Sequence, residues 1–374
     1  MPNVLPADPG AVYRLRRDEI VAAVTAALDG SRYILGPQCA AFEQDFAAWL
    51  GTPGSVGVAN GTDALELCLR SCGLTPGSPV AVPTHTAVAT ATGVVRAGHE
   101  PVFIDIDPVR FTMSPNSLRE ACQGVGSIRA VVPVHLYGMP AEMAEISALA
   151  DEFGMILIED CSQAHGASIA GRLVGTIGRA AAFSCYPTKN LGAIGDAGVV
   201  ASVDEVILER IRHLRQYGWR ERYVSDEVGM NSRLDEVQSA ILRVQLRYLD
   251  ADNTRRREIA ARYAGELAGL PLSLPEMPGE GCSHVFHQFT VLTPHRDALQ
   301  AFLAERGILT AILYPRPIHR MPAYLDYAAR FRRTCPEADR ACSELLCLPM
   351  HPALDDEAVG RVIEGVRGFF AGRS

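Results

Sequence analysis

No stretch of this 374-residue chain approaches the roughly 20 uninterrupted apolar residues that a membrane-crossing helix requires. The opening residues, Met-Pro-Asn-Val-Leu-Pro-Ala-Asp-Pro-Gly, lack the basic segment and apolar run of a secretory signal. Positive charge is not in excess either. The formal net charge is -8, so no global field draws the protein to nucleic acid or to an anionic membrane. The ten cysteines contain no C-x-x-C pair and no Cys/His spacing suited to zinc, so no metal site is expected. Cys68, Cys161, Cys185 and Cys347 sit in apolar segments, where cysteine acts as a small hydrophobe. A reducing compartment fits this usage, and a cytoplasmic protein is the expectation. Internal repeats and low-complexity segments are missing. At 48% hydrophobic and 21% charged residues the composition is that of a globular protein and excludes disorder. Arginines cluster at Arg210, Arg212, Arg215, Arg220 and Arg222, and again at Arg255 to Arg257. Solvated helix faces with interleaved acids explain them; recognition of an anionic substrate such as a nucleotide diphosphate is the other reading.

What the chain does have is a succession of short Val- and Ile-rich runs separated by helix-length segments. Residues 55–59, 80–83, 102–105, 130–134, 155–159, 180–184 and 198–202 read as buried strands. Between them, residues 62–72 and 142–153 carry apolar side chains at helical spacing. This alternation predicts an α/β fold: a three-layer large domain with a mostly parallel seven-stranded sheet covered on both faces. The pattern stops near residue 203. Residues 204–217 read as helical and 234–268 as one long or kinked helix, followed by a Pro-rich break over 270–279. Beyond it lie an alternating strand over 286–292, a helix over 296–306, an extended run over 308–312 and a closing helix over 356–369. These predict a smaller C-terminal α+β domain. The expected division is 1–240 for the large domain and 241–374 for the small one.

Lys189 follows one of the apolar strands and is surrounded by glycines, in Ala-Ala-Ala-Phe-Ser-Cys-Tyr-Pro-Thr-Lys-Asn-Leu-Gly-Ala-Ile-Gly-Asp-Ala-Gly. A lysine so placed lies at the end of a sheet and not on a solvated helix face. Ile156-Leu157-Ile158 likewise ends in Glu159-Asp160, delivering a carboxylate at a strand tip. Ligands of open α/β sheets bind beyond those carboxyl ends. A buried amine and a buried carboxylate meeting there suit pyridoxal 5'-phosphate (PLP): the lysine bonds to its aldehyde and the acid keeps its ring nitrogen protonated. Asn60-Gly61-Thr62-Asp63 comes directly after a strand and opens a helix, which makes a phosphate seat, although the same residues also describe a plainly capped helix. Ser184 and Thr188 place hydroxyls near the same point. Gln163 follows Asp160 by three residues, and His165 follows by five. His165 reads as a structural hydrogen-bonder or as an acid or base.

Together these residues resemble the DegT/DnrJ/StrS type of nucleotide-sugar aminotransferase, within the fold-type-I PLP superfamily that includes aspartate aminotransferase. The resemblance spans residues 32–368. It rests on Gly36-Pro37 with Phe42-Glu43, on Ala59-Asn60-Gly61-Thr62-Asp63-Ala64-Leu65 and on Val134-His135-Leu136-Tyr137-Gly138. The most specific blocks are Glu159-Asp160-Cys161-Ser162-Gln163-Ala164-His165-Gly166 and Tyr186-Pro187-Thr188-Lys189-Asn190-Leu191. Asn231-Ser232-Arg233-Leu234-Asp235 and Tyr314-Pro315 with Pro317-Ile318-His319 complete it.

The resemblance implies that Lys189 carries the cofactor and shuttles protons, with Asp160 on the pyridine nitrogen and Gln163 on the ring oxygen. Gly61, Thr62 and Ser184 would hold the phosphate. Asn231 would reach the phosphate in a neighbouring subunit, so that a homodimer builds each site. His165, Tyr314 and His319 would lie near substrate; for the last two, packing within the small domain is an equal reading. Two positions depart from the pattern. Ala87 stands where many members place an aromatic residue over the ring, which leaves His85 or an aliphatic surface as the cover, with His85 the expected one. Leu313 stands where a histidine is common. The implied reaction transfers an amino group from L-glutamate to a keto-sugar nucleotide, giving an amino sugar for antibiotic or surface-glycan synthesis. A cyclitol ketone as acceptor and a PLP-dependent sugar dehydrase are the alternatives. The dehydrase relatives carry histidine where Lys189 stands. A regulatory or DNA-binding protein that borrowed the fold is the reading from another class.

Overall fold

The computed structural model describes residues 2–372. Seven strands build the central sheet: β1 (Gly54–Val58), β2 (Pro79–Pro83), β3 (Glu100–Ile104), β4 (Ala130–Val131), β5 (Ile156–Asp160), β6 (Ala180–Ser184) and β7 (Gly198–Ser202). Their order is β1-β7-β6-β5-β4-β2-β3. All pairings are parallel except the two that β7 makes with β1 and β6. The helices are α1 (Pro9–Leu15), α2 (Arg17–Leu28), α3 (Pro37–Leu50), α4 (Gly61–Ser71), α5 (Val88–Arg96), α6 (Pro115–Val125) and α7 (Met143–Phe153). They continue with α8 (Glu205–Leu214), α9 (Glu236–Leu246), α10 (Leu249–Glu266), α11 (Arg296–Ala304), α12 (Leu325–Phe331), α13 (Pro336–Glu344) and α14 (Asp356–Ala371).

The apolar runs are continuous because both faces of the sheet are covered. Successive strand residues point to opposite faces. Val80 and Val82 enter one core with Leu65 and Leu69 of α4 and Ile207 and Ile211 of α8. Ala81, between them, enters another core with Leu118 of α6 and Ile146 of α7. In β6, Ala180 and Ala182 join the first core, while Ala181 and Phe183 pack against Phe42 and Phe46 of α3. This three-layer, mostly parallel sheet is the architecture expected from the sequence. One strand is shorter than predicted. Pro133 offers no N–H to the ladder, and β4 ends at Val131, leaving only an isolated bridge between Val134 and Asp160.

Register then gathers the chemistry at one edge. Asp160, the last residue of β5, stands opposite Ala182 of β6. Ser184, the last residue of β6, stands opposite Gly198, and Gly198 also pairs with Val58 at the end of β1. The ends of β1, β5 and β6, and the loop that carries Lys189 from β6 to β7, therefore share one rim.

A separate core lies beyond the sheet. It joins Ile259 and Tyr263 of α10 to β8 (Phe289–Leu292), β9 (Leu345–Leu348) and Val362 and Phe369 of α14. The predicted helix over 234–268 is two helices, separated at Arg247–Tyr248. α9 packs with α2, through Ile241, Val244 and Ile20, and on α3; α10 packs into the second core. The chain crosses back twice: Val4 joins the second core, while Ile318 and Tyr324 join the first.

Candidate functional site

The start of α4 forms one side of the rim. Asn60 caps the helix, its Oδ1 accepting the N–H of Asp63 at 2.8 Å. The Asp63 carboxylate turns to Arg96 at 3.0 Å. The first N–H groups of a helix have no partners within it, and here they open beside β6. A Cβ on Gly61 would stand 2.6 Å from the Ser184 Cβ, so only glycine permits this approach. Gly198 is under the same constraint, its Cβ position falling 2.4 Å from the backbone of Asn60. Thr62 and Ser184 are half-buried on this rim. Gly61, Thr62 and Ser184 thus meet in a cradle of N–H and hydroxyl donors whose chemistry fits a phosphate.

Asp160 is buried and fixed by two donors: the Thr90 hydroxyl to Oδ2 at 2.9 Å and the Ser162 N–H to Oδ1 at 3.1 Å. Gln163 Oε1 accepts the Tyr137 N–H at 2.8 Å, which leaves Nε2 to donate to the Tyr314 hydroxyl at 3.2 Å. Tyr314 is therefore joined to the acid loop and not merely packed in the smaller core. Burial, with the Asp160 charge adding to it, pushes its phenol up to about 12, so it stays protonated. The neighbouring Glu159 has a different task. Its carboxylate accepts the N–H groups of Gly175, Ile177 and Gly178 and faces His135 Nε2. Burial alone would raise its pKa, but these hydrogen bonds hold it below the usual carboxylate value. His135, Glu159 and Cys161 are the one group among the described residues close enough to hold a metal ion, and the Glu159 oxygens are already taken by four donors.

Lys189 is half-buried in the loop between β6 and β7. Burial pushes its amine down to about 8, while the charges of Asp160 and Cys185 act in the opposite sense. The amine and the Asp160 carboxylate thus sense one another across the rim. The sequence holds a further signal that its motif reading did not use: Lys189 is the only lysine, against 34 arginines. A guanidinium serves for any cation that remains charged, but it does not lose its proton. The one position written as lysine thus carries an amine that, unlike a guanidinium, can become neutral. Lys189 and Asn190 also line a cavity of about 630 Å³ walled by α1, α2 and α9, with Gln245 and Arg256 on its polar side. Asp160, Ser184, Tyr314 and His319 are not among its walls, so Lys189 belongs both to this cavity and to the strand-end cluster.

Burial lowers the pKa of the three candidate-site histidines, His165, His85 and His319. Burial, with the Lys189 charge adding to it, pushes His165 down to about 3. Its two ring nitrogens have no hydrogen-bond partner, and the ring packs 5.3 Å from that of Phe183. His85 is buried, with Nε2 at 2.7 Å from the Tyr137 hydroxyl and Nδ1 at 3.2 Å from Cys342 Sγ. Tyr137 OH donates onward to the Leu313 carbonyl. Burial pushes His85 down to about 4. Its ring stands edge-on to those of Tyr137 and Tyr314, tying β2 to α13. His319 Nδ1 lies 2.7 Å from Thr84 Oγ1, one residue before His85. Asn231 is exposed, bridged to Gln216 below the hairpin formed by Trp219–Glu221 and Val224–Ser225. Thr90, Tyr137 and Asn190 are site residues that the motifs did not single out as partners of the chemistry; each acts through a contact distant in sequence.

Residues 15–367 match the DegT/DnrJ/EryC1/StrS aminotransferase family. The chain belongs to that family. It is an aminotransferase, and the family works with PLP, the cofactor that the rim fits. A dTDP-3-amino-3,4,6-trideoxy-alpha-D-glucose transaminase of Streptomyces venezuelae is 43% identical over 98% of this chain and 96% of its own. A protein of Geobacillus stearothermophilus named pleiotropic regulatory protein is 40% identical over 98% and 99%. Among solved structures, that of S. venezuelae DesV in complex with a ketimine intermediate has a TM-score of 0.94 at 43% identity, covering 98% of both chains.

Proposed function

We propose that this aminotransferase moves the amino group of L-glutamate to the ketone of a nucleoside-diphosphate deoxyhexose, producing an amino-sugar nucleotide. The observation that carries the reading is the sole lysine, its pKa lowered by burial and countered by Asp160, at the rim where a helix start offers a phosphate seat. The nucleotide-sugar substrate of the Streptomyces venezuelae relative supports the choice of acceptor.

In this reading Gly61, Thr62 and Ser184 hold the PLP phosphate, Asp160 pairs with the ring nitrogen and Gln163 with the ring hydroxyl. PLP, when bound, supplies an electron sink for the carbon that loses its proton. Lys189 does the proton work. With a pKa near 8, about a tenth of the free amine is neutral at pH 7. That fraction takes a proton from the donor's α-carbon and returns one to the acceptor carbon. Asp160, oriented by Thr90 and Ser162, keeps a negative charge where positive charge must persist. Tyr314, protonated and bonded to Gln163, and His319 face the sugar. His165 fills the space beside Lys189 as a neutral ring, and His85 sets the wall behind Tyr314.

We take the enzyme to be a homodimer in which Asn231 reaches the partner's phosphate seat. In support, Asn231 is exposed, and Tyr223 at the hairpin's turn and Val228 between the hairpin and Asn231 are 72% and 85% exposed. Mixing Lys189→Ala with Asn231→Ala protein then rebuilds one complete site per mixed dimer. Activity should return to about a quarter of the wild-type value at equal mixing, from near zero for either variant alone. Failure to recover activity after verified subunit exchange would contradict the shared site.

The function itself is tested by incubating the protein with PLP, glutamate and a panel of nucleotide 3-keto and 4-keto-6-deoxyhexoses beside an inosose. The expected result is glutamate-dependent 2-oxoglutarate release and an aminated sugar nucleotide. Amination of the inosose alone would move the substrate class to cyclitols; loss of a hydroxyl without amination would indicate a dehydrase.

A further inference from the structure

Asn190 follows Lys189 directly, and its side chain is buried. Its Nδ2 donates to Asn253 Oδ1 at 2.8 Å and to the Val285 carbonyl at 3.0 Å; its Oδ1 lies 3.1 Å from His287 Nδ1. Asn253, on α10, is 2% exposed, and its Nδ2 donates to the His165 carbonyl at 2.8 Å. The direction of this chain follows from its two ends. Backbone carbonyls only accept, so Val285 and His165 each fix which end of the facing amide is NH₂. Asn253 Oδ1 must then face Asn190, and Asn190 Oδ1 must face a ring N–H of His287. His287 can supply it: burial, together with the charges of Lys189 and Arg256, holds its pKa well below the usual value, leaving one nitrogen protonated.

A second observation shows how closely Asn253 approaches. Gly166, next to His165, has φ +92, and a Cβ there would stand 2.6 Å from Asn253 Nδ2. The acid loop therefore combines a left-handed backbone with a missing side chain at the point where the amide enters. One turn further along α10, buried Arg256 donates to the Phe286 and Met350 carbonyls, which holds the 285–287 segment in place. The rest of α10 belongs to the other core, through Ile259, Ala260 and Tyr263.

We propose that Asn253 is a positioning residue that locks the lysine loop to the acid loop, setting where the Lys189 amine sits relative to Asp160. The inference rests on the reading of those two residues as the site, and it gives α10 a part in the chemistry that no side chain of its own performs. Without Asn253, Asn190 loses its buried acceptor, the His165 carbonyl loses its donor, and the two loops are free to part. The amine then gains solvent, and misplacement by about an ångström costs on the order of 100-fold in rate.

A single lysine makes the test direct. Protein grown on [¹³C]lysine gives one side-chain Cε signal, that of Lys189, whose chemical shift can be titrated in the ligand-free protein. In Asn253→Ala, and in Asn253→Ser as the milder change, the midpoint should rise by about one pH unit or more toward the value of a solvated amine. In the loaded enzyme, kcat should fall about 10- to 100-fold with KM for glutamate changed less than threefold. Unchanged midpoint and unchanged kcat in a folded variant would overturn the proposal. So would a lowered melting temperature with both values retained, which is the mark of a purely structural amide. The ligand-free titration does not depend on the substrate. Absence of glutamate turnover in the wild type would therefore reject the proposed function while leaving the role of Asn253 to be decided by the midpoint.

Discussion

Lys189→Ala protein should fold, yet its turnover should fall by roughly 10⁴-fold or more, because in the proposed mechanism one change removes both the covalent attachment and the proton carrier. The visible band that PLP gives with the wild type should vanish as well, leaving the spectrum of free or loosely held cofactor. Removing the amine does not damage the core: Lys189 is half-buried, and its backbone N–H is held by the Tyr186 carbonyl at 2.8 Å regardless of the side chain. Lys189→Arg should be as inactive as the alanine variant. It keeps the charge and much of the length, but a guanidinium neither condenses with an aldehyde nor takes up a proton at working pH. A small primary amine added to the Ala variant should restore part of the rate, whereas it should do nothing for Arg, which fills the space. Retained turnover in either variant would remove the proposed mechanism.

The second large effect belongs to Asp160. Asp160→Asn keeps the shape but places an NH₂ against either the Thr90 hydroxyl or the Ser162 N–H, both of which donate to the carboxylate. In the proposed mechanism it also withdraws the charge that would hold the ring nitrogen protonated. Loss of a preorganised electrostatic partner of this kind costs about 10²- to 10³-fold in kcat, about 3 to 4 kcal/mol. A second signal should move with it, and its sign can be worked out. The Asp160 carboxylate favours the charged amine and so works against the lowering by burial. Without it, the Lys189 midpoint in the ligand-free protein should fall further below about 8. A fall in kcat with no shift in that midpoint would mean that the two groups do not face each other.

Much of the rim was readable before the structure. The strands over 55–59, 180–184 and 198–202 were visible because both faces of the sheet are covered, so their apolar runs are uninterrupted. The first run gives way to Asn60-Gly61, and the second ends in Ser184 and the glycine-containing loop that leads to the third; the candidate site residues lie at those two ends, facing Gly198 at the start of the third run. What escaped the sequence depends on distance along the chain. Asn253 reaches Asn190 and His165 across 63 and 88 residues, and nothing in the periodicity of α10 announces a buried amide. The break at Arg247–Tyr248 has no glycine or proline to mark it; Leu249 turns into the sheet-side core while Ile259 and Tyr263 serve the other. The return of Ile318 and Tyr324 to the first core was equally hidden, since a helix start reads the same whichever core receives it. The contact of His85 with Cys342, 257 residues away, was hidden in the same way.

The most direct test is reductive trapping. Protein loaded with PLP and treated with borohydride, then digested and sequenced by mass spectrometry, should carry one pyridoxyl group per chain on the peptide containing Lys189, and none after prior conversion with glutamate. A chain with no pyridoxyl group, or with one only at the terminal amine, would contradict the claim that this single lysine, opposite Asp160, carries the cofactor.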